Sequence, residues 1–305
     1  MLKQAENSVK IEGILSEIDL KTGSTVKNGK TIEYITGSIK VRVAQVLNGN
    51  TVDLDIPVYM FSNKLKKDGG PNPAYESIYR VMTEFTSIAV AGFEGADRIR
   101  ITGANIQMNE YYGQGGTLNS YPRISASFVT KITDLTKFNP EASFSAVFMI
   151  AAMGYDTDKD GVNIENRYKI RGILPQYGGR VDVIDFYATN PNVIDAVSSY
   201  WNEKDTVKIN GKLNFTSRVE EKMVEVDFGE PRMERHTITV SELIITGGTQ
   251  TPLEGDFAFD EDEIAAALKE RQAYLAELKE KAKQKENGVK SAPAATKKGF
   301  SDLGF

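Results

Sequence analysis

A mainly β chain built from two tandem five-stranded barrels, followed by a C-terminal helix and a disordered tail, is what this sequence predicts, and three observations predict it. DRIRITG at residues 97–103 recurs as DTVKING at residues 205–211. Ahead of it, IKVRV (Ile39 to Val43) has a counterpart in YKIRG (Tyr168 to Gly172). Between the two stretches, each half carries an Asn-Pro that opens a segment with helical spacing.

Taken in order, the elements of the two copies correspond. First strands are expected near Val9 to Leu20 and Ser143 to Met153. Second strands put two basic side chains on one face, Lys40 and Arg42 in one copy and Lys169 and Arg171 in the other, with Arg167 sharing the latter parity. Third strands lie around TVDLDIPVYMF and RVDVIDFYA. Helices follow from Asn72 and Asn190, since proline suits a first helical turn and the preceding asparagine can cap it. Their apolar faces would be Tyr75, Ile78, Tyr79, Met82 and Phe85 in the first and Val193, Ile194, Val197 and Trp201 in the second. On the fourth strands Ile99 and Ile101 alternate with Arg98 and Arg100, and Val207, Ile209, Leu213 and Phe215 alternate with Lys208, Asn210, Lys212 and Asn214. Gly103 and Gly211 close the repeated stretches, as glycines do where a sheet bulges and curls. Fifth strands are expected near Ile124 to Ile132 and His236 to Ile245. A helix between strands three and four of a five-stranded Greek-key barrel is the order of the OB-fold.

The boundaries that follow are 1–138 for the first barrel, 139–248 for the second, 249–286 for an acidic segment and helix, and 287–305 for a flexible linker and tip. The first copy carries longer insertions, at Lys64 to Pro73 and Asn109 to Pro122, and the second a charged hairpin region from Val219 to Arg235.

Composition narrows the chemistry. There is no cysteine and one histidine, His236, which rules out disulfides, thiolate sites and sites needing two imidazoles. No long apolar run suggests a membrane span and the first residues do not resemble a secretion signal, so a cytoplasmic protein is expected. The net charge of −5 is mildly unfavourable for binding a polyanion, so the placement of charge matters more than its total. Residues 1–140 hold sixteen Lys and Arg against fourteen Asp and Glu, whereas residues 141–250 hold twelve against seventeen, which favours the first barrel as the main strand-binding surface.

OB-folds take oligonucleotides on the face of strands two and three and with the loops joining strands one to two and four to five. Single strands are held by cations along the phosphate path and by rings under the bases. The residues in those places are Lys40, Arg42, Arg98, Arg100, Arg123, Arg167, Lys169, Arg171, Lys208 and Lys212, with Tyr111, Tyr112 and Tyr121 in or beside the glycine-rich loop between strands four and five. Tyr59, Phe61, Tyr79, Phe85, Tyr200 and Trp201 read instead as core or helix packing. DTDKDG (Asp156 to Gly161) opens like a calcium loop but has Arg167 where the bidentate glutamate belongs, so it reads as a turn between strands. The glycine-rich stretches YGQGG and GGTQTP lack the context of a phosphate-binding loop, and Asp53, Asp55, Asp182 and Asp185 lack an accompanying base. Neither an enzyme nor a cofactor is expected.

After Gly248 the chain turns acidic at Glu254 to Glu263, then reads as a helix to about Lys285, with Asp260 and Glu263 as a capping pair. Ile264, Leu268, Leu275 and Leu278 form its narrow apolar stripe, interrupted by Arg271, suited to docking on a barrel or on another copy. That the acidic stretch Asp256 to Glu263 folds back and competes for the strand-binding surface is a hypothesis the sequence raises and does not decide. A linker-like composition follows from Asn287 to Lys298, ending in GFSDLGF. Barrels, linker and a tip with an acidic residue and a terminal phenylalanine together resemble the single-stranded DNA-binding proteins of bacteria and their phages. That resemblance implies binding of single-stranded DNA in replication or recombination, and a tip, here Asp302, Leu303 and Phe305, that docks partner proteins. Gly304 stands where that family usually has proline, and one acidic residue remains of the usual cluster. A structural phage component and an accessory module docking a replication protein through its tail are the other readings.

Overall fold

A computed structural model describes residues 2–47, 49–224 and 232–290. The first half contains β1 (Asn7–Lys27), β2 (Lys30–Leu47), β3 (Asn50–Asn63), helices α1 (Pro73–Glu84) and α2 (Ile88–Gly95), then β4 (Arg98–Tyr112), β5 (Leu118–Ser125) and the short β6 (Val129–Lys131). The second contains β7 (Glu141–Thr157), β8 (Asn163–Pro175), β9 (Val181–Ala188), α3 (Pro191–Tyr200), β10 (Thr206–Val224) and β11 (Arg232–Gly248), and α4 (Glu261–Lys290) ends the described chain.

Each half closes on itself in the same way. β1, β2 and β3 form an antiparallel meander, β3 pairs in parallel with β5, β5 with β4, and β4 returns to β1. β7 to β11 repeat that circuit strand for strand, including the parallel contact between β9 and β11 and the closure of β10 on β7. This is the OB-fold topology, twice, as the sequence order implied. Period-two alternation supplies the cores: Val41, Val43, Leu54, Ile56, Val58, Ile99 and Ile101 are buried in the first barrel, and Ile170, Ile184, Phe186, Val207, Ile209 and Leu213 in the second. Asn72 and Asn190 cap their helices as expected, their side chains accepting from the N–H groups of Ala74 at 3.2 Å and Asn192 at 2.9 Å.

The barrels are joined through their equivalent first strands. Ile101 pairs with Ile11, and its counterpart Ile209 pairs with Ala146, so Ile11 and Ala146 occupy the same place in the two copies. Between the barrels, β1 and β7 run antiparallel with Ile11 opposite Ala142 and Asn7 opposite Ala146. An approximate two-fold axis therefore passes through the Val9–Phe144 pair.

The repeated glycines do different work. Gly103, at φ 72°, sits in a bulge of β4 opposite Val9 and Ile11, where a side chain would meet open space but a strained backbone. Gly211 lies where a Cβ would come within 2.3 Å of the Ile244 carbonyl oxygen and 2.4 Å of the Phe144 ring.

Several local expectations change. The segment Asn109 to Pro122 is a β-hairpin, not a long loop: β4 runs to Tyr112 and β5 starts at Leu118, with Asn109 opposite Tyr121 and Tyr111 opposite Asn119. Phe61, Tyr79 and Tyr200, taken as packing residues, are exposed, while Trp201 is buried. The β1–β2 hairpin reaches far beyond the barrel and turns at Asn28-Gly29, both in the left-handed region, a turn signal the sequence carries in plain view. In the acidic turn after β7, Asp158 accepts from the backbone N–H groups of Asp160 and Val162, each at 2.9 Å, and the Asp156 carboxylate is taken by Arg167 and Lys169. His236 is within β11, and its side chain lies outside the described residues.

Glu12, only 1% exposed at the barrel junction, is the least solvent-exposed charged residue among the described residues. Burial opposes its ionisation, but Arg100 at 2.7 Å and the Asn139 N–H at 2.6 Å outweigh that and hold the carboxyl below its usual range. A folded value below the unfolded one means stability that is present above about pH 4.3 and lost as pH falls through the folded value. Glu12→Gln is therefore expected to flatten the acid limb of a melting-temperature profile taken between about pH 2 and pH 6. An unchanged acid limb would show that the pair is not what acid breaks.

Candidate nucleic-acid interface

A cleft of about 1170 Å³ lies between the two barrels. One wall is Tyr59 on β3 with Tyr121 and Arg123 on β5, and the other is Arg171 on β8 with Tyr187 on β9. α4 closes one side through Arg271 and Leu275. The faces of strands two and three, where OB-folds take oligonucleotides, thus contribute from both copies to one groove. Alternation explains the tyrosines: Tyr59 and Tyr187 stand between buried neighbours, Val58 and Met60 for one, Phe186 and Ala188 for the other, so strand geometry turns both rings outward.

Each of these rings carries a guanidinium. Arg123 lies over Tyr59 with its central carbon 4.4 Å from the ring centroid, and Arg167 lies over Tyr187 at 4.0 Å. Asn109 Oδ1 accepts from Arg123 at 3.1 Å, which fixes one end of that stack. Arg167 is fixed by Asp156 and Glu242, both at 2.7 Å. Burial works against the charge on Arg167, yet those two carboxylates outweigh it and raise its affinity for its proton. Burial also pushes the Tyr187 phenol up. Tyr121 meets Tyr111 edge-on at 6.4 Å.

Of the residues the sequence singled out, the structure brings Tyr121, Arg123 and Arg171 into the cleft and sets Arg167 beside it on Tyr187. Lys40, Arg42 and Lys169 lie on the same second strands but outside it. Tyr112 faces α4, with Lys279 over its ring at 5.9 Å. Arg98 and Arg100 belong to the far end of β4, Arg98 donating to the carbonyls of Ala96 and Glu94 and Arg100 to Glu12. Lys208 and Lys212 lie near the barrel junction, bound to Glu6 and to the Val46 carbonyl, both at 2.8 Å. Tyr59, Tyr187, Arg271 and Leu275 are among the cleft residues that the sequence did not assign to binding. Asp302, Leu303 and Phe305 lie outside the described residues.

The cationic rows do not stand alone. Lys40 pairs with Glu17 at 2.6 Å and Lys169 with Asp156 at 2.8 Å. Arg42 and Arg171 each hold the aspartate directly across the next strand, Asp55 at 2.6 Å and Asp185 at 2.7 Å, so the internal repeat extends to a cross-strand ion pair. These pairs are partly exposed and exchangeable, since surface ion pairs contribute at most about 1 kcal/mol each. A phosphate displacing one carboxylate from such a pair gives the cation a new partner at small cost.

α4 docks rather than standing free. Asp260 caps it, its Oδ1 accepting from the Glu263 N–H at 2.9 Å, and Ile264 and Ala267 are buried. Arg271 does not merely interrupt the apolar stripe: it forms an ion pair with Glu110 on β4 that is largely shielded from solvent. The acidic residues 256–263 do not line the cleft, and Glu261 pairs with Lys204 at 2.6 Å. Beside the cleft, burial pushes the Asp182 carboxyl up, against hydrogen bonds from the Met108 N–H and the Gln176 amide. Among the described residues, no three His, Cys, Asp or Glu side chains gather as a metal site, and no helix is long and apolar enough to cross a membrane.

No curated protein matches the sequence. Among solved structures, a deletion mutant of the single-stranded DNA-binding protein from Thermus aquaticus is similar over 83% of this chain and 97% of that one, with 12% sequence identity and a TM-score of 0.46. The YorF family model matches residues 5–281, both barrels and most of α4, and the chain belongs to the YorF family.

Proposed function

We propose that this chain is a non-enzymatic protein that binds single-stranded DNA with little sequence preference, in phage DNA replication or recombination within the host cytoplasm. The observation that carries the reading is the inter-barrel cleft, with Tyr59, Tyr121 and Tyr187 on opposed walls and arginines beside them. Bases stack on the rings, each stack contributing about 1–3 kcal/mol, while Arg123, Arg171 and the flanking Lys40, Arg42, Arg167 and Lys169 meet phosphates. A duplex keeps its base faces in its own stack, so it gains nothing from the tyrosines. In this reading residues 1–138 and 139–248 act as two barrel units, 249–286 as a roof, and 287–305 as a tether. The tip, Asp302, Leu303 and Phe305, docks a replication or recombination protein.

Fluorescence titration with labelled poly-dT and with a duplex of equal length tests it. Tight binding of poly-dT with at least tenfold weaker binding of duplex is expected, and equal affinity for both, or none for either, overturns it. A second reading, an assembly component, draws on α2, which buries none of its residues and leaves Val90 82% and Phe93 50% exposed. No affinity for oligonucleotides together with a stable ring or filament would favour that one.

A further inference from the structure

β2 and β3 carry the outward face of the first barrel past the cleft. At the cleft wall Tyr59 stands opposite Ser38; two residues further along, Phe61 stands opposite Thr36, and after it Asn63 opposite Tyr34. Paired residues share a face of the sheet, and the intervening Met60, Ser62 and Ile35 are buried on the other. Phe61 and Tyr34 therefore lie on the same surface as Tyr59 but outside the cleft lining.

These two rings form a platform. Phe61 is 47% exposed, a large apolar ring kept in water, and Tyr34 lies 5.8 Å from it with the planes 33° apart. Tyr34 also lies close against Gly23, its partner on β1: a Cβ there would come within 2.8 Å of the Tyr34 Cζ and hydroxyl, so the missing side chain makes room for the ring. The Thr36 and Tyr59 hydroxyls, 3.2 Å apart, tie the platform to the cleft wall. Rings two residues apart on a strand are about 6.6 Å apart, roughly twice the 3.4 Å step of a stacked nucleic-acid strand, a spacing for the bases of an extended one. Charge along this stretch balances: on the same face of β1, Glu17 pairs with Lys40, Asp19 stands opposite Ser38 and Lys21 opposite Thr36, and beyond them Lys64 pairs with Glu33. The second barrel has no such extension of its third strand, because β9 ends at Ala188, one residue past Tyr187, and the chain enters α3 at Pro191.

We infer that a strand leaving the cleft continues over the first barrel and stacks bases on Phe61 and Tyr34, so that the binding track is longer on this side than on the other. The inference rests on the cleft reading above and is carried by the continuity of this face with Tyr59. Every base has a face to stack, so the platform adds affinity without adding sequence preference. With its charges balanced, it adds that affinity through rings and not through phosphate contacts.

The test is fluorescence anisotropy of the full chain with a labelled thymidine hexamer, short enough to be held by the cleft alone, and with a thymidine 20-mer that reaches the platform as well. Phe61→Ala is expected to weaken binding of the 20-mer by at least about fivefold and of the hexamer by less than about twofold. Adding Tyr34→Ala should bring the loss on the 20-mer to at least about twentyfold. Phe61→Trp should keep the 20-mer affinity within about twofold while Phe61→Leu loses as much as Phe61→Ala, which separates stacking from bulk. The slope of log affinity against log salt should stay unchanged in every variant, since no phosphate contact is removed. Phe61 faces water, so its loss leaves folding intact, which a melting curve verifies. Full 20-mer affinity in Phe61→Ala, equal losses on both lengths, or a Phe61→Leu variant that binds like the unaltered chain overturns the inference while leaving the cleft reading in place. Failure of the unaltered chain to bind either strand overturns both.

Discussion

Replacing Tyr59 and Tyr187 together by alanine is expected to weaken binding of a thymidine oligomer by at least thirtyfold, with the fold kept. Two lost stacks at about 1–3 kcal/mol each amount to about 2–6 kcal/mol, and about 1.4 kcal/mol is a factor of ten. Both rings are half-buried on outward strand positions, so their removal opens no core cavity. Arg123 keeps Asn109, and Arg167 keeps Asp156 and Glu242, so the arginines remain held when the rings go. Phenylalanine at both positions should restore most of the affinity, because the face of the ring and not its hydroxyl does the stacking, whereas leucine should not. Oligomer titrations of the three double variants, with melting curves alongside, decide it. Leucine variants that bind as well as phenylalanine ones would mean that the rings merely support the arginines.

Gly211→Ala should destabilise the protein by about 3 kcal/mol or more, and the matching Gly103→Ala by about 1–2 kcal/mol, although the two glycines end the same repeated stretch. At Gly211 the added methyl would press on the Ile244 backbone oxygen of β11 and on the Phe144 ring of β7, the second barrel's strand at the junction. Phe144 is itself 4% exposed and faces Phe186 at 5.9 Å, and the other neighbour is backbone, so relief requires a shift of packed strands. At Gly103 nothing lies within 4 Å, so the cost is that of a left-handed backbone alone. Urea unfolding of the two variants measures both effects. Equal losses would show that steric crowding at the junction is not what that glycine relieves.

The contrast between these glycines illustrates how far the sequence carries. Strand order, both Asn-Pro helices and the outward parity of Lys40, Arg42, Lys169 and Arg171 follow from local pattern and were legible. Tyr59, which reads as packing by its aromaticity, and Tyr187, not singled out from the sequence, both sit on the wet parity of their strands between buried residues, so alternation alone makes them legible. What parity cannot supply is the identity of the opposing surface. That Arg271 reaches Glu110 and that Arg167 lies on Tyr187 depends on how separately folded strands come to rest on one another. Some cation partners were hidden for the same reason, Glu6 for Lys208 and Glu12 for Arg100 among them, because they come from distant parts of the chain.

The antiparallel seam between β1 and β7 has a consequence for any polynucleotide that threads the groove. A DNA strand has a direction, and a two-fold rotation about an axis perpendicular to its path reverses it, so a strand crossing that axis from one barrel to the other would meet them in opposite senses. Duplicate contacts cannot serve both orientations equally. The two halves indeed hold their stacked arginines differently, from β5 onto β3 in one and from β8 onto β9 in the other. Duplication here supplies two frames of the same topology, and under the proposed function divergence at a few side chains is what would let one directional polymer fit both.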